Sequence, residues 1–284
     1  MLQSIISLAG YFSVKIIQFM LRFLPYRRIS DAGALAGNFF EIIGTRKKVA
    51  IENIRQSNLA LDSSQAANLI GRSYSYFGRT FFELLALDKI RLREDRDFEL
   101  IVPDRFYQNI EKGAIFISAH IGNWELMGKV LAEHQVPMAV VVKRQQNGRV
   151  DRLVTFVRER SGMIVVYDDE AVRLRGLIEK KYCIALLSDQ DFGGNAVPVN
   201  FLGRPCFAAE GPVFLAKKFK IPVFMCFAVR QDDYFHRFEI MPFEYDMALG
   251  SESLVQAYTN EIEKVVSKHP AQWLWHHRRW KVHA

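Results

Sequence analysis

The chain reads as an α/β protein in which helices cover a central sheet, preceded by a helical region. Two observations predict this. From about residue 98 onward, short apolar runs alternate with helical patterns, the arrangement of strands joined by covering helices. Before residue 90, by contrast, the periodicity is helical throughout. The 284 residues are half apolar, which excludes a disordered chain and suffices for one large α/β core. No linker forces a second domain, so the reading is an anchor segment at 1–25 and one domain at 26–284, helical to about residue 95 and α/β after it.

The opening stretch, "MLQSIISLAGYFSVKIIQFMLRFLP", predicts a helix that Pro25 ends. Ser4, Ser7, Tyr11, Lys15, Gln18 and Arg22 recur every three or four positions, a narrow polar stripe beside a wide face of Ile, Leu, Phe, Val and Met. About 24 helical residues reach ~36 Å, enough to span a bilayer. Lys15 and Arg22 fit better a helix lying in the membrane interface, and a helix packed on its own protein remains open. "ALAG" at 34–37 resembles a signal-peptidase site, but no basic region precedes the apolar run and Arg27 and Arg28 stand between, so secretion is rejected.

Helices follow across 29–90, one of them capped by Asp62. "GAIFIS" predicts a buried strand, and 123–135 a helix with Asn123 as N-cap. Next come "MAVVV", a helix at 148–160, "MIVVY", a helix at 170–180 and "CIALL". A polar, glycine-bearing loop at 188–208 follows, in which Gly193 and Gly194 permit a tight turn. Gly211–Pro212 start a helix. Strands near 222–229 and 235–240 and a helix near 251–268 complete the reading.

Between the first strand and its helix lies "AHIGNWELMG". His120 falls at a strand's carboxyl end and Glu125 in the first turn of the next helix, the edge where open α/β sheets bind ligands. A carboxylate bonded to one ring nitrogen would fix the tautomer and leave the other nitrogen as a base. Equally, the spacing fits Glu125 as a helix-start residue favoured by the dipole, with His120 bonded to backbone. Asp189 and Gln190 follow "CIALL", again at a strand's carboxyl end. The tail "HPAQWLWHHRRWKVHA" gathers Trp273, Trp275 and Trp280 around His276, His277, Arg278 and Arg279, with Lys281 beyond. It fits either a packed segment or a basic-aromatic surface for lipid, nucleic acid or acidic protein.

The formal net charge of +7 points to an anionic partner: nucleic acid, a membrane surface or an acidic carrier protein. Cys183, Cys206 and Cys226 lie far apart with no CxxC, which excludes a disulfide or zinc framework and suits a reducing compartment. Neither a metal set nor a phosphate-binding P-loop is present, so no cofactor is expected.

These blocks, in this order, resemble the late acyltransferases of bacterial lipid A biosynthesis, within the glycerolipid acyltransferase superfamily. "AHIGNWELMG" is similar to that superfamily's H-x₄-D/E motif in its glutamate form. "KRQQN" (143–147), "RERSG" (158–162), "DQDFGG", "FLGRP" and "PAQWLWHHRRWK" resemble the family's remaining blocks, so the likeness runs from about residue 45 to the end. It implies a glycerolipid-acyltransferase-like fold with a central mixed sheet. It also implies transfer of a fatty acyl group from a thioester, of acyl-carrier protein or acyl-coenzyme A, to a hydroxyl of a membrane glycolipid such as a lipid A precursor. The expected place is the cytoplasmic side of the bacterial inner membrane, with no nucleic acid involved. On this reading His120 is the general base and Glu125 its orienting partner. Asn123, Arg144, Asn147, Arg158, Asp189, Gln190 and Gly203 line the substrates, and backbone N–H groups around Gly122 or an arginine meet the oxyanion. Two alternatives stand beside it: acylation of a lysophospholipid or other amphiphile, and a non-enzymatic membrane or nucleic-acid binder.

Overall fold

The computed structural model describes residues 2–190, 196–244, 246 and 248–280, with side chains from Leu8 onward except that of residue 9. The expected turn at Gly193–Gly194, the side chains of the stripe residues Ser4 and Ser7, and Lys281 lie outside what is described. Helices come first: α1 (Leu2–Leu21), α2 (Tyr26–Ile43), α3 (Lys47–Gln56) and α4 (Ser63–Leu85). Asp62 caps α4 as its side chain predicts. Its carboxylate accepts from the Gln65 N–H at 2.8 Å while the Gln65 side chain accepts from the Asp62 N–H at 3.0 Å, a reciprocal capping box.

The α/β part then runs β1 (Phe98–Ile101), α5 (Phe106–Asn109), β2 (Ala114–Ser118), α6 (Trp124–Glu133), β3 (Met138–Val142), α7 (Gly148–Arg160), β4 (Ile164–Tyr167), α8 (Ala171–Glu179) and β5 (Cys183–Leu187). After it come β6 (Ala196–Phe201), β7 (Arg204–Ala209), α9 (Gly211–Phe219), β8 (Val223–Arg230), β9 (His236–Pro242), α10 (Ser251–Lys268) and a 3₁₀ turn at Pro270–Gln272. The elements expected from β2 to β5 and from α9 to α10 are all present. The loop expected at 188–208 is in part a β6–β7 hairpin, which Pro198 and Pro205 disguise because proline is ordinarily confined to strand edges.

The main sheet has the order β1-β9-β8-β2-β5-β3-β4. Strands β8, β2, β5, β3 and β4 are parallel; β9 runs antiparallel to β8, and β1 parallel to β9, so the sheet is mixed as expected. Alternation along the strands sorts side chains to two faces. Ile115, Ile117, Ile184 and Met225 join a core with Leu69, Ile70, Val255, Tyr258, Trp273 and Trp275. Phe116, Met138, Cys183 and Cys226 join another with Leu126, Leu131, Val157 and Leu21. All three cysteines are buried in these cores, where they pack as small hydrophobes.

The helical start is locked by close backbone approach. A Cβ on Gly37 would stand 2.1 Å from the Tyr74 carbonyl oxygen, and one on Gly78 would stand 2.2 Å from that of Gly33. Helices α2 and α4 therefore touch main chain to main chain. Along α1 the polar stripe divides. Gln18 is buried and donates to the Leu85 carbonyl at 3.2 Å, whereas Lys15 and Arg22 face outward with Phe12, Ile16, Phe19, Met20 and Phe23. Among the described residues no helix is long and apolar enough to cross a membrane.

Gly37→Ala should lower stability by about 1–3 kcal/mol, because the helices must separate to admit a methyl group. Gly176→Ala, where nothing lies within 4 Å of the added methyl group on α8, should raise it by up to about 1 kcal/mol. Urea unfolding midpoints check both.

Candidate active site

Strand register assembles the centre of the site. Ser118 of β2 pairs with Leu187 of β5. His120 and Asp189 each lie two residues beyond those positions, so the parallel ladder delivers them side by side at the sheet's carboxyl edge. His120 Nδ1 lies 2.8 Å from Asp189 Oδ1, and the Trp273 indole N–H donates to Asp189 Oδ2 at 2.8 Å. Asp189 is almost wholly buried, and the His120 ring keeps some exposure. Burial alone would raise the Asp189 pKa. The charge and hydrogen bonds of His120, with the bond from Trp273, outweigh it and hold the carboxyl below its ordinary value. Trp124 packs edge-on against the imidazole.

The loop between β2 and α6 is held on both sides. The Gly122 N–H donates to the Gln272 carbonyl at 3.1 Å, the Asn123 N–H to the Ala228 carbonyl at 3.0 Å, and the Leu274 N–H to the His120 carbonyl at 3.1 Å. The Thr80 hydroxyl donates to the Gly122 carbonyl at 2.9 Å. Gly122 has φ of +60°, and a Cβ there would lie 1.6 Å from the Ala228 oxygen, so only glycine fits. This corrects the expectation that N–H groups around Gly122 receive an oxyanion. The amides of 121, 122 and 123 donate to the carbonyls of Ala119, Gln272 and Ala228.

The expected His120–Glu125 bond is also corrected. Glu125 points the other way, into an ion pair with Arg158 of α7. Arg158 Nε donates to Oε2 at 2.9 Å and Nη2 to Oε1 at 2.5 Å, and the Trp124 indole N–H also reaches Oε1, at 3.1 Å. The physical reason is helix geometry. The first turn of α6 carries Glu125 toward α7, while the parallel ladder places a different carboxylate beside the imidazole. Burial would lower the Arg158 pKa, but Glu125 keeps it above its ordinary value, so the guanidinium stays charged.

The Glu125–Arg158 pair stands at a cavity of about 70 Å³ whose walls are otherwise nearly all apolar, among them Phe116, Met127, Leu131, Met138, Met163 and Cys226. A smaller crevice beside His120 is bounded by Tyr76, Phe77 and Thr80 of α4 and by Gln272 to Leu274. The imidazole thus meets a crevice on one side, and an apolar cavity with a charged rim opens beside Trp124.

The remaining expected site residues divide. Asn123 caps α6 by accepting the Leu126 N–H at 2.9 Å, and its amide donates to Glu83. Asn147 likewise caps α7, accepting the Arg149 N–H at 3.1 Å. Arg144 is exposed, paired with Asp169 at 3.2 Å and stacked over Tyr167. Gly203 forms the β6–β7 turn with φ of +75°. Gln190 is partly buried next to Asp189 in the chain. Through residue 280 the C-terminal segment is largely packed rather than displayed, with Arg278 exposed. Trp273, Trp275 and Arg279 are buried, and Arg279 Nη1 donates to the Phe207 carbonyl at 2.5 Å.

Sequence reading missed the support beneath the loop. Glu83 of α4 and Arg230 of β8 form an ion pair with no solvent exposure, and Asn123 bonds the same Glu83 oxygen. Burial would lower the Arg230 pKa; Glu83 and Tyr26 hold it up. His236, 2.6 Å from the Tyr26 hydroxyl, is driven well below its ordinary value by burial and by Arg230, and is neutral. A lone carboxylate amid "RTFFELL" was the available signal.

The family model described as bacterial lipid A biosynthesis acyltransferase matches residues 3–282. A lipid A biosynthesis palmitoleoyltransferase of Escherichia coli (strain K12) is 26% identical over 241 residues, covering 84% of this chain and 72% of its own. A lipid A biosynthesis acyltransferase of Shigella flexneri matches to the same extent. A phosphatidylinositol mannoside acyltransferase of Mycolicibacterium smegmatis (strain ATCC 700084 / mc(2)155) is 26% identical over 209 residues, 71% of this chain and 67% of its own.

The lowered Asp189 pKa sets a pH dependence. A carboxyl depressed on folding adds stability above its unfolded value, near pH 4, and that stability is lost as pH falls through the lower folded value. Asp189→Asn should therefore flatten the acid side of the stability curve. Urea midpoints measured from about pH 5 down to about pH 3 should fall less steeply for the variant than for the parent.

Proposed function

The chain belongs to the bacterial lipid A biosynthesis acyltransferase family and is an acyltransferase, and from that premise we propose how its site works and on what. The reaction is O-acyl transfer from an acyl thioester to a hydroxyl of a glycolipid, with a lipid A precursor as the acceptor class. The observation that carries the mechanism is the 2.8 Å contact between His120 Nδ1 and a buried Asp189 pinned by Trp273.

With Nδ1–H donated to Asp189, Nε2 is unprotonated and takes the acceptor's hydroxyl proton. The hydroxyl oxygen bonds to the thioester carbonyl carbon as the proton reaches Nε2, and Asp189 stabilises the imidazolium. Collapse of the tetrahedral intermediate breaks the C–S bond, and the thiolate leaves with the proton from Nε2. The Arg158 guanidinium, kept charged and oriented by Glu125, supplies positive charge for the oxyanion in place of the engaged Gly122-region amides. The apolar cavity beside the pair takes the acyl chain. Glu125 is thus a positioning residue acting through Arg158. The reading as a silent binder gives way to the family assignment and to the intact histidine–carboxylate pair.

Membrane association rests on α1, whose outward face presents Phe12, Ile16 and Phe19, on Phe23 just past its end, and on exposed Leu35, Phe39, Ile42 and Ile43 of α2. A patch this apolar on a basic chain suits a helix lying in the interface, here at the cytoplasmic face of the inner membrane. Acyl-carrier protein is the donor favoured by the formal charge of +7. Buried Arg279 is not part of its docking surface.

His120→Ala should abolish transfer in a folded protein. Asp189→Asn should lower kcat by about 10²-fold or more, because the amide no longer stabilises the imidazolium. Glu125→Gln should also lower kcat, since it weakens the hold on Arg158. Steady-state assays with acyl-carrier protein and a glycolipid acceptor read these effects, and undiminished turnover in Asp189→Asn would return the orienting role to Glu125. Deleting residues 1–24 should release the protein from membranes in sedimentation.

A further inference from the structure

A cleft of about 410 Å³ lies between α1 and α7, lined by Tyr11 and Lys15 of the first helix and by Arg149, Arg152, Leu153 and Phe156 of the second. Three cations from two helices converge there, and no carboxylate lines the cleft. None of the three has an ion-pair partner among the described residues. The one acid between the arginines in sequence, Asp151, is buried and turned away: it accepts from the Gln145 N–H at 2.8 Å and from the Tyr167 hydroxyl at 2.7 Å. Unpaired like charges brought together without a counter-ion repel one another, so the arrangement favours a bound anion.

What borders the cleft identifies the anion's carrier. Leu8, Phe12 and Phe19 form one exposed stripe along α1, continued by exposed Phe23 just past its end, and helical spacing sets Lys15 beside it, between the stripe and Tyr11. Phe156, in the cleft wall, is itself 54% exposed. An apolar stripe with cations along its edge matches a lipid bilayer, where acyl chains lie just below phosphate headgroups. An acidic protein would meet the cations and leave the phenylalanines uncovered.

We propose that Lys15, Arg149 and Arg152 form a headgroup clamp for an anionic phospholipid, seating the protein on the membrane with the outward stripe of α1 immersed. Because α7 also carries Arg158, the clamp joins the membrane surface to the helix that serves the site. This rests on the reading of α1 as an interfacial helix, and the experiment separates the two.

Flotation with vesicles of phosphatidylcholine alone, and of phosphatidylcholine with about one-third phosphatidylglycerol, would be run on the full chain. The parent should bind both, with a clear preference for the anionic vesicles at low salt. Arg149→Gln with Arg152→Gln should keep the neutral-vesicle affinity, which also reports an intact fold, and lose about 10- to 30-fold on anionic vesicles. Arg173→Gln with Lys180→Gln, removing equal charge from α8 and its C-cap, should lose much less. Phe12→Ser with Phe19→Ser should weaken binding to both vesicles.

If the parent binds neither vesicle, the interfacial reading fails and the clamp with it. If the phenylalanine variant loses binding while the arginine variant keeps the full anionic preference, the interfacial reading survives and the clamp is overturned. An equal loss from the α8 variant would reduce the effect to net charge and also overturn it. So would an arginine variant with parental vesicle binding but weakened binding of acyl-carrier protein, which would assign the cleft to the donor.

Discussion

Glu83 and Arg230 carry opposite charges into a place with no access to water, and much of the molecule is arranged around that pair. Neither charge is tolerable alone, since stripping one buried partner typically costs about 3–5 kcal/mol. The pair ties α4 to β8, the two elements that flank the loop bearing His120. Asn123 shares the Glu83 oxygen, Thr80 on the same helix reaches the Gly122 carbonyl, and the Gln272 side chain bonds the Arg230 main chain in both directions. The loop's geometry is therefore inherited from a buried electrostatic constraint rather than from the loop's own sequence. The glycine-to-backbone contacts between α2 and α4 extend the same rigidity outward.

Around this support two carboxylates take different work because their neighbours differ. Asp189 sees an imidazole and an indole N–H, and is held ionised in a buried position. Glu125 sees a guanidinium in two-point geometry, which satisfies it and fixes the arginine. The first arrangement suits moving a proton; the second suits presenting a fixed positive charge beside an apolar cavity. The C-terminal segment completes both the fold and the centre. Trp273 seats Asp189 while Leu274 and Gln272 pair with the loop main chain, so residues near the chain's end belong to the chemistry's foundation rather than to its surface.

The first helix shows that amphipathic spacing alone does not say which side faces the protein. Gln18 turns inward because the carbonyl of Leu85, at the end of α4, offers it a partner, and Phe12, Ile16 and Phe19 are left outside. An apolar exterior of this kind has a cost in water that an interface removes.

The sequence by itself determined the order of strands and helices from β2 to β5 and from α9 to α10, the caps at Asp62 and Asn123, and the positions of His120 and Asp189 at strand ends, because these follow from periodicity and local hydrogen bonding. The ordered motif blocks also pointed to the family. Tertiary structure alone decided which carboxylate meets the imidazole. A helix-start glutamate five residues away is near in sequence, but the β2–β5 register brings an aspartate 69 positions distant within hydrogen-bond reach. It likewise decided that Arg279 is core and that the β6–β7 hairpin exists despite its prolines. Contacts between distant segments depend on strand pairing and on the burial of charges. Those are properties of the assembled sheet, and no local stretch of residues encodes them.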